Sequence, residues 1–254
     1  MSWRNDDYVF KTVVFQDESY MDVFSRELGI IMKHHSRPGM DSFLIRLYQG
    51  EHGEQVLEQL TKIGCVSTEE VIFDGCTVEQ IVKYLSFFNS NDLFKFRIKC
   101  HIVPVLENQE DDNRILNLQE IRHLEQWKNS KHVKLKAWDF SVQIQDFLHF
   151  EEVEIDCMWM PDQDIILLKE SFLTSSTLTS FNILIHAYFD EREQLHASFG
   201  LPSLPIDQDD PDEKWFFRIP DNETVLSEIC NMEGMFYFRR IEIQYVPEGA
   251  VIRD

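Results

Sequence analysis

The sequence predicts an α/β fold built from a repeated unit, and two observations support this prediction. First, short β-prone runs recur along the chain with the pattern apolar-x-x-apolar-x-apolar. Second, the segments between these runs place apolar residues at helical spacing. The runs alternate apolar and polar residues, as half-buried strands do. Strands and helices that alternate at a short period favour a parallel sheet covered by helices.

Eight runs carry the strand pattern, and each is identified by its fourth residue: Phe43, Val71, Phe96, Val133, Val153, Phe181, Phe217 and Ile241. The steps between them are 28, 25, 37, 20, 28, 36 and 24 residues. Most of these steps lie in or near the range of about 20–29 residues that is typical of leucine-rich repeats. We therefore expect a leucine-rich-repeat-like curved solenoid with a mostly parallel sheet and helices on its outer face. The fourth and sixth residues of each run should be buried, and Phe181 should pack with Phe150, Val153 and Ile155.

Helical segments are predicted between the runs. Three apolar faces have the spacing of an α-helix, and they consist of Val56, Leu57, Leu60 and Ile63, of Ile81, Val82, Leu85 and Phe88, and of Leu118, Ile121 and Leu124. Pro161 precedes a fourth predicted helix over 164–174, and proline is tolerated in a first helical turn.

Two polar stretches, 107–114 and 199–213, fall inside the two longest steps and predict insertions. Residues 1–19 are expected to form an N-terminal extension. The repeat domain would then occupy 20–254, and a division into halves at 20–110 and 111–254 is left open.

Composition narrows the class of protein. A formal net charge of −21 repels phosphate backbones, which disfavours direct binding of nucleic acid. The five cysteines are odd in number and contain no Cys-x-x-Cys pair, so neither a disulfide framework nor a zinc site is predicted. Because no apolar segment of about 18 residues is present, we expect no membrane contact, and a cytoplasmic or nuclear protein without cofactors.

Three segments of this sequence are similar to one known domain. They are 118–133, with its Glu-Gln-Trp-Lys-Asn-Ser-Lys core, then 149–181, and the closing Val-Pro-Glu-Gly-Ala-Val of 246–251. Together they resemble the FTH domain, which follows an F-box in a family of nematode proteins, and the resemblance spans 25–251. It implies a domain like the substrate-recruiting part of an F-box ubiquitin-ligase adaptor, with a specific protein target that in one family member is an RNA-binding protein.

The F-box itself is not expected within this chain. The stretch before Ser25 is shorter than an F-box and contains no proline. A Skp-type adaptor would therefore be a partner only if an F-box is supplied elsewhere.

The candidate binding residues lie on the sheet face opposite the buried positions. Striped charge on an extended solenoid face favours specific binding of a protein partner. A solvated face of no function, or internal neutralisation of the cations by Glu154 and Asp156, would explain the same pattern. The candidates are Lys95, Arg97, Lys99, Lys134, Lys136, Trp138, Glu154, Asp156, Met158, His186 and Tyr188.

Two functional hypotheses follow. The first is a non-enzymatic protein-protein interaction module, because the sequence has no Gly-rich phosphate loop, no His-Glu-x-x-His and no Gly-x-Ser-x-Gly motif. The second is an RNA-binding or ribonucleoprotein-associated solenoid that uses the cations among the candidate residues. The negative net charge favours the first.

Overall fold

The computed structural model describes residues 23, 26–27, 29–30, 40–47, 53–99, 116–136, 140–141, 143–157, 160–186, 192–204, 212–222, 225–232 and 234–254. Within these residues the chain has an α/β fold, as the sequence predicts, with a ten-stranded sheet and helices packed against it. A second sheet pairs two short strands.

The strands are β1 (Ser42–Arg46), β2 (Glu70–Asp74), β3 (Lys95–Lys99), β4 (Leu116–Asn117), β5 (His132–Lys136), β6 (Phe140–Ser141), β7 (Glu152–Cys157), β8 (Ser180–Ile185), β9 (Glu213–Arg218), β10 (Val225–Met232), β11 (Met235–Glu242) and β12 (Ile252–Arg253). The α-helices among the described residues are α1 (Gly53–Ile63), α2 (Val78–Leu85), α3 (Glu125–Asn129), α4 (Asp162–Thr174) and α5 (Arg192–Phe199). Two 3₁₀ turns cover Ile144–Phe147 and Ile243–Tyr245.

The first six strands of the large sheet are parallel and follow one another in the order β1-β2-β3-β5-β7-β8. The register is the same from strand to strand, so that Val71, Phe96, Val133, Val153 and Phe181 form one continuous row. Each of these side chains is buried. The period of the sequence pattern therefore brings equivalent residues of successive units side by side.

The last four strands follow a different topology, in the order β8-β11-β10-β9-β12. β11, β10 and β9 pair antiparallel, and β12 pairs parallel with β9. The hairpin from β10 to β11 turns at Gly234, whose φ of 89° suits a residue without a Cβ. The sequence pattern did not predict this antiparallel section.

One hydrophobic core lies between the sheet and the helices. Leu60 of α1, Ile81 and Leu85 of α2, and Leu168 of α4 are buried in it. Trp127 of α3 packs edge-on against Phe96 and Phe150, at ring-centroid distances of 5.8 and 5.0 Å. The helices of the described residues thus cover one face of the sheet and leave the opposite face to charged side chains.

Most predicted elements are confirmed. Phe150, Val153, Ile155 and Phe181 lie in the same core cluster, and α4 begins directly after Pro161. The third predicted helix is wrong in its position, because Leu118 and Ile121 lie in successive turns and α3 starts only at Glu125.

The run around Ile241 was assigned to the wrong face. The buried residues of β11 are Phe236 and Phe238, whereas Ile241 is only partly buried and Ile243 is exposed. Because side chains alternate with a period of two, a shift of one residue moves the whole run to the other face. Phe43, on β1, is also only partly buried.

The predicted domain limits fall largely on residues that the structure does not describe. The insertion at 107–114 and the N-terminal extension at 1–19 lie outside the described residues, and so does 205–211 within the second insertion.

Candidate protein-binding face

The face of the large sheet opposite the helices is here called the open face. Strands β3, β5 and β7 contribute alternate residues to it, and the regular register sorts them into three rows. The N-terminal row runs Glu70-Lys95-His132-Glu152-Ser180, the middle row runs Ile72-Arg97-Lys134-Glu154-Asn182, and the C-terminal row runs Asp74-Lys99-Lys136-Asp156-Leu184. Cations on β3 and β5 therefore lie between carboxylates on β2 and β7.

Glu70 on β2 neutralises two of the cations on β3. Its Oε1 lies 2.6 Å from Arg97 Nε and 3.8 Å from Lys95 Nζ. The Glu70 side chain is 15% exposed, so this carboxylate is held in a partly desolvated position where its cationic neighbours are needed.

Carboxylates on β7 pair with β5. Lys134 Nζ donates to Glu154 in a short ion pair, and Lys136 Nζ lies 3.6 Å from Asp156 Oδ2. His186, one residue beyond β8, places Nε2 2.5 Å from Asp156 Oδ1. Internal neutralisation by Glu154 and Asp156, one of the two alternative explanations of the sequence pattern, therefore occurs in the structure.

Lys99 differs from the other four cations. Its neighbour on β2, Asp74, is paired with Arg46 of β1, with Nε and Oδ2 2.7 Å apart. Within the described part of the chain, Lys99 forms no ion pair, and it lies directly opposite Lys136. The C-terminal row consequently contains two adjacent lysines with less internal compensation than the cations of the other rows.

The open face becomes apolar beyond β7. The C-terminal row continues from Leu184 to Met235 of β11 and Met232 of β10. Met232 is 41% exposed, and Leu184 and Met235 are partly exposed. Methionine is flexible and polarisable, so such residues adapt to the shape of an apolar partner.

At the end of the open face formed by β10 and β9, several side chains are buried. Glu228 is buried and accepts a hydrogen bond from Arg239, and this bond raises the pKa of the guanidinium. Burial likewise raises the pKa of the Cys230 thiol to about 12. Phe216, at the end of the N-terminal row, is fully buried. The accessible part of the face therefore extends from β1 to the edge of β10.

The structure brings together all the predicted site residues that it describes. Lys95, Arg97, Lys99, Lys134, Lys136, Glu154, Asp156 and His186 lie on three neighbouring strands and the turn after β8. Trp138, Met158 and Tyr188 lie outside the described residues.

Sequence reasoning missed the acidic border on β2. Glu70 and Asp74 alternate with the buried Val71 and Phe73 in the same way as the lysines of β3 alternate with Phe96. Applying the same parity to the run of Val71 would have placed both carboxylates beside the cations. Met232 and Met235 were missed because β10 was not recognised as a strand.

Other kinds of site find little support in the described residues. No group of three or more His, Cys, Asp or Glu side chains there is arranged to hold a metal ion. Among those residues no helix has both the length and the apolar character needed to cross a bilayer.

Comparison with known proteins identifies the family. The family model of the FTH domain matches residues 51–201, which is more than half of the chain and extends from α1 to just beyond α5. The matched region includes the segments 118–133 and 149–181 but is shorter than the 25–251 expected from the motifs. No curated protein and no solved structure matches the chain. The chain therefore belongs to the FTH domain family.

Proposed function

We propose that this member of the FTH family is a non-enzymatic module that binds a specific protein partner through its open face. The observation that supports the proposal is the striped charge of that face, where cations on β3 and β5 stand between carboxylates on β2 and β7. Several of these side chains are accessible, with Lys136 49% and Glu154 47% exposed. Striped charge favours one partner over others and accelerates its association.

The fold supports this use of the face. We propose that the six parallel strands and their connecting helices form a leucine-rich-repeat-like curved solenoid, with the helices on its outer side. Repeat arrays of this kind use their extended sheet surface to bind partners. The antiparallel strands β9 to β11 would then terminate the array.

The biological setting that we propose follows from the family resemblance. As an F-box-associated domain, the module would recruit a substrate protein to a ubiquitin ligase in the cytoplasm or nucleus. A Skp-type adaptor would enter through an F-box supplied elsewhere. RNA binding through the cations is less well supported, because Glu70, Glu154 and Asp156 already neutralise most of them.

A charge swap tests whether the open face binds the partner. Exchanging the charges of one ion pair, Lys134→Glu with Glu154→Lys, keeps the pair and the net charge but reverses two neighbouring positions of the stripe. The matched control exchanges the exposed pair on α1, Lys62→Glu with Glu58→Lys, whose charged atoms are 2.7 Å apart. Each protein serves as bait in an extract of the native source, and captured proteins are quantified by mass spectrometry.

We expect a protein that is enriched by the original chain and by the α1 control, and that is depleted from the open-face variant. Equal recovery by all three baits, with normal circular dichroism, would show that the open face is not the binding surface. A gel-shift assay with single-stranded RNA at low salt tests the alternative, since salt-sensitive binding there would favour an RNA-binding role.

A further inference from the structure

The C-terminal row differs from the rest of the open face in a way that specifies the chemistry of a partner. Beyond Asp74 of β2, it consists of six residues that lie side by side on β3, β5, β7, β8, β11 and β10, namely Lys99, Lys136, Asp156, Leu184, Met235 and Met232. Going along it, two lysines are followed by a carboxylate and then by three apolar side chains.

The carboxylates nearest to the two lysines of the row, Asp74 and Asp156, are each engaged by another basic side chain. Cations that lie directly opposite each other on neighbouring strands destabilise a sheet. Three pairs of basic residues face each other on β3 and β5, namely Lys95 with His132, Arg97 with Lys134, and Lys99 with Lys136, and the last two pairs each join two cations. Glu70 and Glu154 compensate the second pair at short range, and Glu70 and Glu152 lie near the first.

The third pair receives less compensation. Asp74 is engaged by Arg46 at 2.7 Å, and Asp156 is engaged by His186 at 2.5 Å while Lys136 lies 3.6 Å away. Lys99 has no ion pair among the described residues. An external carboxylate that approached Lys99 and Lys136 would therefore meet two cations whose own partners are shared or absent.

The geometry of the row matches that of an α-helix lying across the strands. Neighbouring strands are about 4.8 Å apart, so the six residues span about 24 Å. One helical turn rises about 5.4 Å, and side chains at i and i+4 are about 5–6 Å apart. A helix that crosses the strands thus presents about one side chain per turn to each strand. Six such side chains are separated by five turns, or about 27 Å, which is close to the length of the row.

We propose that the C-terminal row is the docking site of an amphipathic helix of the partner protein. The helix carries carboxylates in the two turns that cover Lys99 and Lys136, and apolar side chains in the three turns that cover Leu184, Met235 and Met232. The turn over Asp156 is uncharged, because His186 and Lys136 already engage that carboxylate. This inference rests on the proposed function and adds to it the chemical class of the ligand.

The probe for this proposal is a displayed library of helix-stabilised peptides of about 22 residues, the length of about six turns. The exposed positions are randomised, and the immobilised chain selects the binders. We expect the selected peptides to carry Asp or Glu in two adjacent turns at one end and Leu, Met or Phe in the three turns at the other. Selection of basic peptides, of peptides without a charge bias, or of none would overturn the proposal.

Variants then locate the selected peptide on the chain. With Lys99→Gln and Lys136→Gln combined, its affinity should fall at least about tenfold, as expected when charge-assisted contacts are lost. With Leu184→Ser and Met235→Ser combined, a fall of similar size is expected. The control combines Lys62→Gln on α1 and Lys128→Gln on α3, which are 60% and 50% exposed, and it should bind as tightly as the original chain.

The outcomes separate this proposal from the proposed function. If the peptide binds equally to the original chain and to the C-terminal-row variants, the row is not the docking site. If the charge swap on the middle row still removes the native partner, the open face remains the binding surface and only the assignment to this row is wrong. Circular dichroism of each variant identifies any loss of folding. The two lysine substitutions remove no buried group, so the test remains valid even if the variant with Leu184→Ser and Met235→Ser does not fold.

Discussion

Arg97 and Glu70 form the closest charge contact between β2 and β3, with Arg97 Nε 2.6 Å from Glu70 Oε1. Both side chains are mostly removed from water, at 29% and 15% exposure. The contact connects two neighbouring parallel strands through their polar side chains, on the face away from the core. Charge on the open face therefore has a structural role in addition to the binding role that we propose for it.

Removal of this contact should cost stability. For Arg97→Ala we expect a loss of about 1–2 kcal/mol in the free energy of unfolding, between the values typical of exposed and of buried ion pairs. Lys99→Ala, on the same strand and face but without an ion pair among the described residues, should change it by less than about 0.5 kcal/mol. Urea denaturation of both variants measures the difference, and equal effects would mean that the Glu70 contact contributes nothing.

The core prediction concerns Phe181, which is fully buried on β8 and lies 6.2 Å from the ring of Phe147. Phe181→Ala should destabilise the fold by about 3–5 kcal/mol, because it removes apolar contacts and leaves a cavity. Leu201→Ala serves as the control, since Leu201 is 72% exposed and should change stability by no more than about 0.5 kcal/mol. A loss below about 1 kcal/mol for Phe181→Ala would contradict the described core.

The N-terminus of α2 offers a test of local structure. Thr77 accepts a hydrogen bond from Gln80 N, and the Gln80 side chain accepts one from Thr77 N, which forms a capping box. Thr77→Ala should cost about 1 kcal/mol. Thr61→Ala removes only a bond from the Thr61 hydroxyl to Leu57 O within α1 and should be near neutral. Thermal unfolding followed at 222 nm, a signal dominated by helix, compares the two variants.

His149 should make stability depend on pH. Its ring packs on Phe150 with centroids 3.9 Å apart, and desolvation lowers its pKa below the ordinary value of 6.5. Between the pKa of His149 in the folded chain and its pKa in the unfolded chain, the unfolded chain binds more protons than the folded one. Stability is therefore fully present above pH 6.5 and falls as the pH drops from there through the pKa of the folded chain. Urea denaturation at about pH 7.5 and about pH 5.5 should show a smaller decrease for His149→Gln than for the original chain. An identical decrease in the two proteins would show that His149 does not cause the pH dependence of stability.

Cysteine reactivity should differ sharply between sites. Cys65 is exposed, whereas Cys76, Cys157 and Cys230 are buried, and burial raises the pKa of Cys230 to about 12. Because the thiolate is the reactive form, iodoacetamide near neutral pH should modify Cys65 before the three buried cysteines and leave Cys230 unmodified until the chain unfolds. Peptide mapping by mass spectrometry follows each site, and early labelling of Cys230 would show that β10 is more open than described.

The parallel half of the fold was predictable because its sequence signal is consistent. From Phe96 to Phe181 each run has apolar residues at the fourth and sixth positions and a charged or polar residue between them, and the run of Val71 departs from this only at Ile72. The inner strands β2, β3, β5 and β7 each pair in parallel on both sides, so period, face and order all follow from one pattern.

The antiparallel half was harder to predict for a physical reason. β10 buries Ser227, Glu228 and Asn231 beside Ile229 and Cys230, and a strand that buries polar residues on both faces has no apolar alternation to detect. In β11 the even-numbered Phe236 and Phe238 point to the core, while Ile241 and Ile243 suggest the opposite parity. The two Phe residues lie where β11 pairs with both β8 and β10 and determine its face, whereas Ile241 lies where β11 pairs with β10 alone. The glycine at 234 was the available signal for the hairpin.

The candidate site was predictable in its location but not in its balance of charge. Alternation placed the lysines of β3 and β5 on one face, and they lie there. Their pairing with Glu70 depended on the register between β2 and β3, which only the structure provides. The apolar end of the C-terminal row depended in the same way on the return of β11 beside β8.

Strand pairing changes from parallel to antiparallel at β8. The part of the sheet before β8 should therefore accept the addition or loss of a unit during evolution more easily than the part after it. The inner strands β2, β3, β5 and β7 each pair in parallel with both neighbours, so duplication or loss of one such unit would leave both neighbours correctly paired. Each added unit would move the charged stripes about 4.8 Å further from the hairpin, while the methionines of β10 and β11 kept their place beside β8. Relatives with different numbers of units would then share an apolar anchor and differ in the distance to their charged contacts, a simple means of matching one domain to partners of different length.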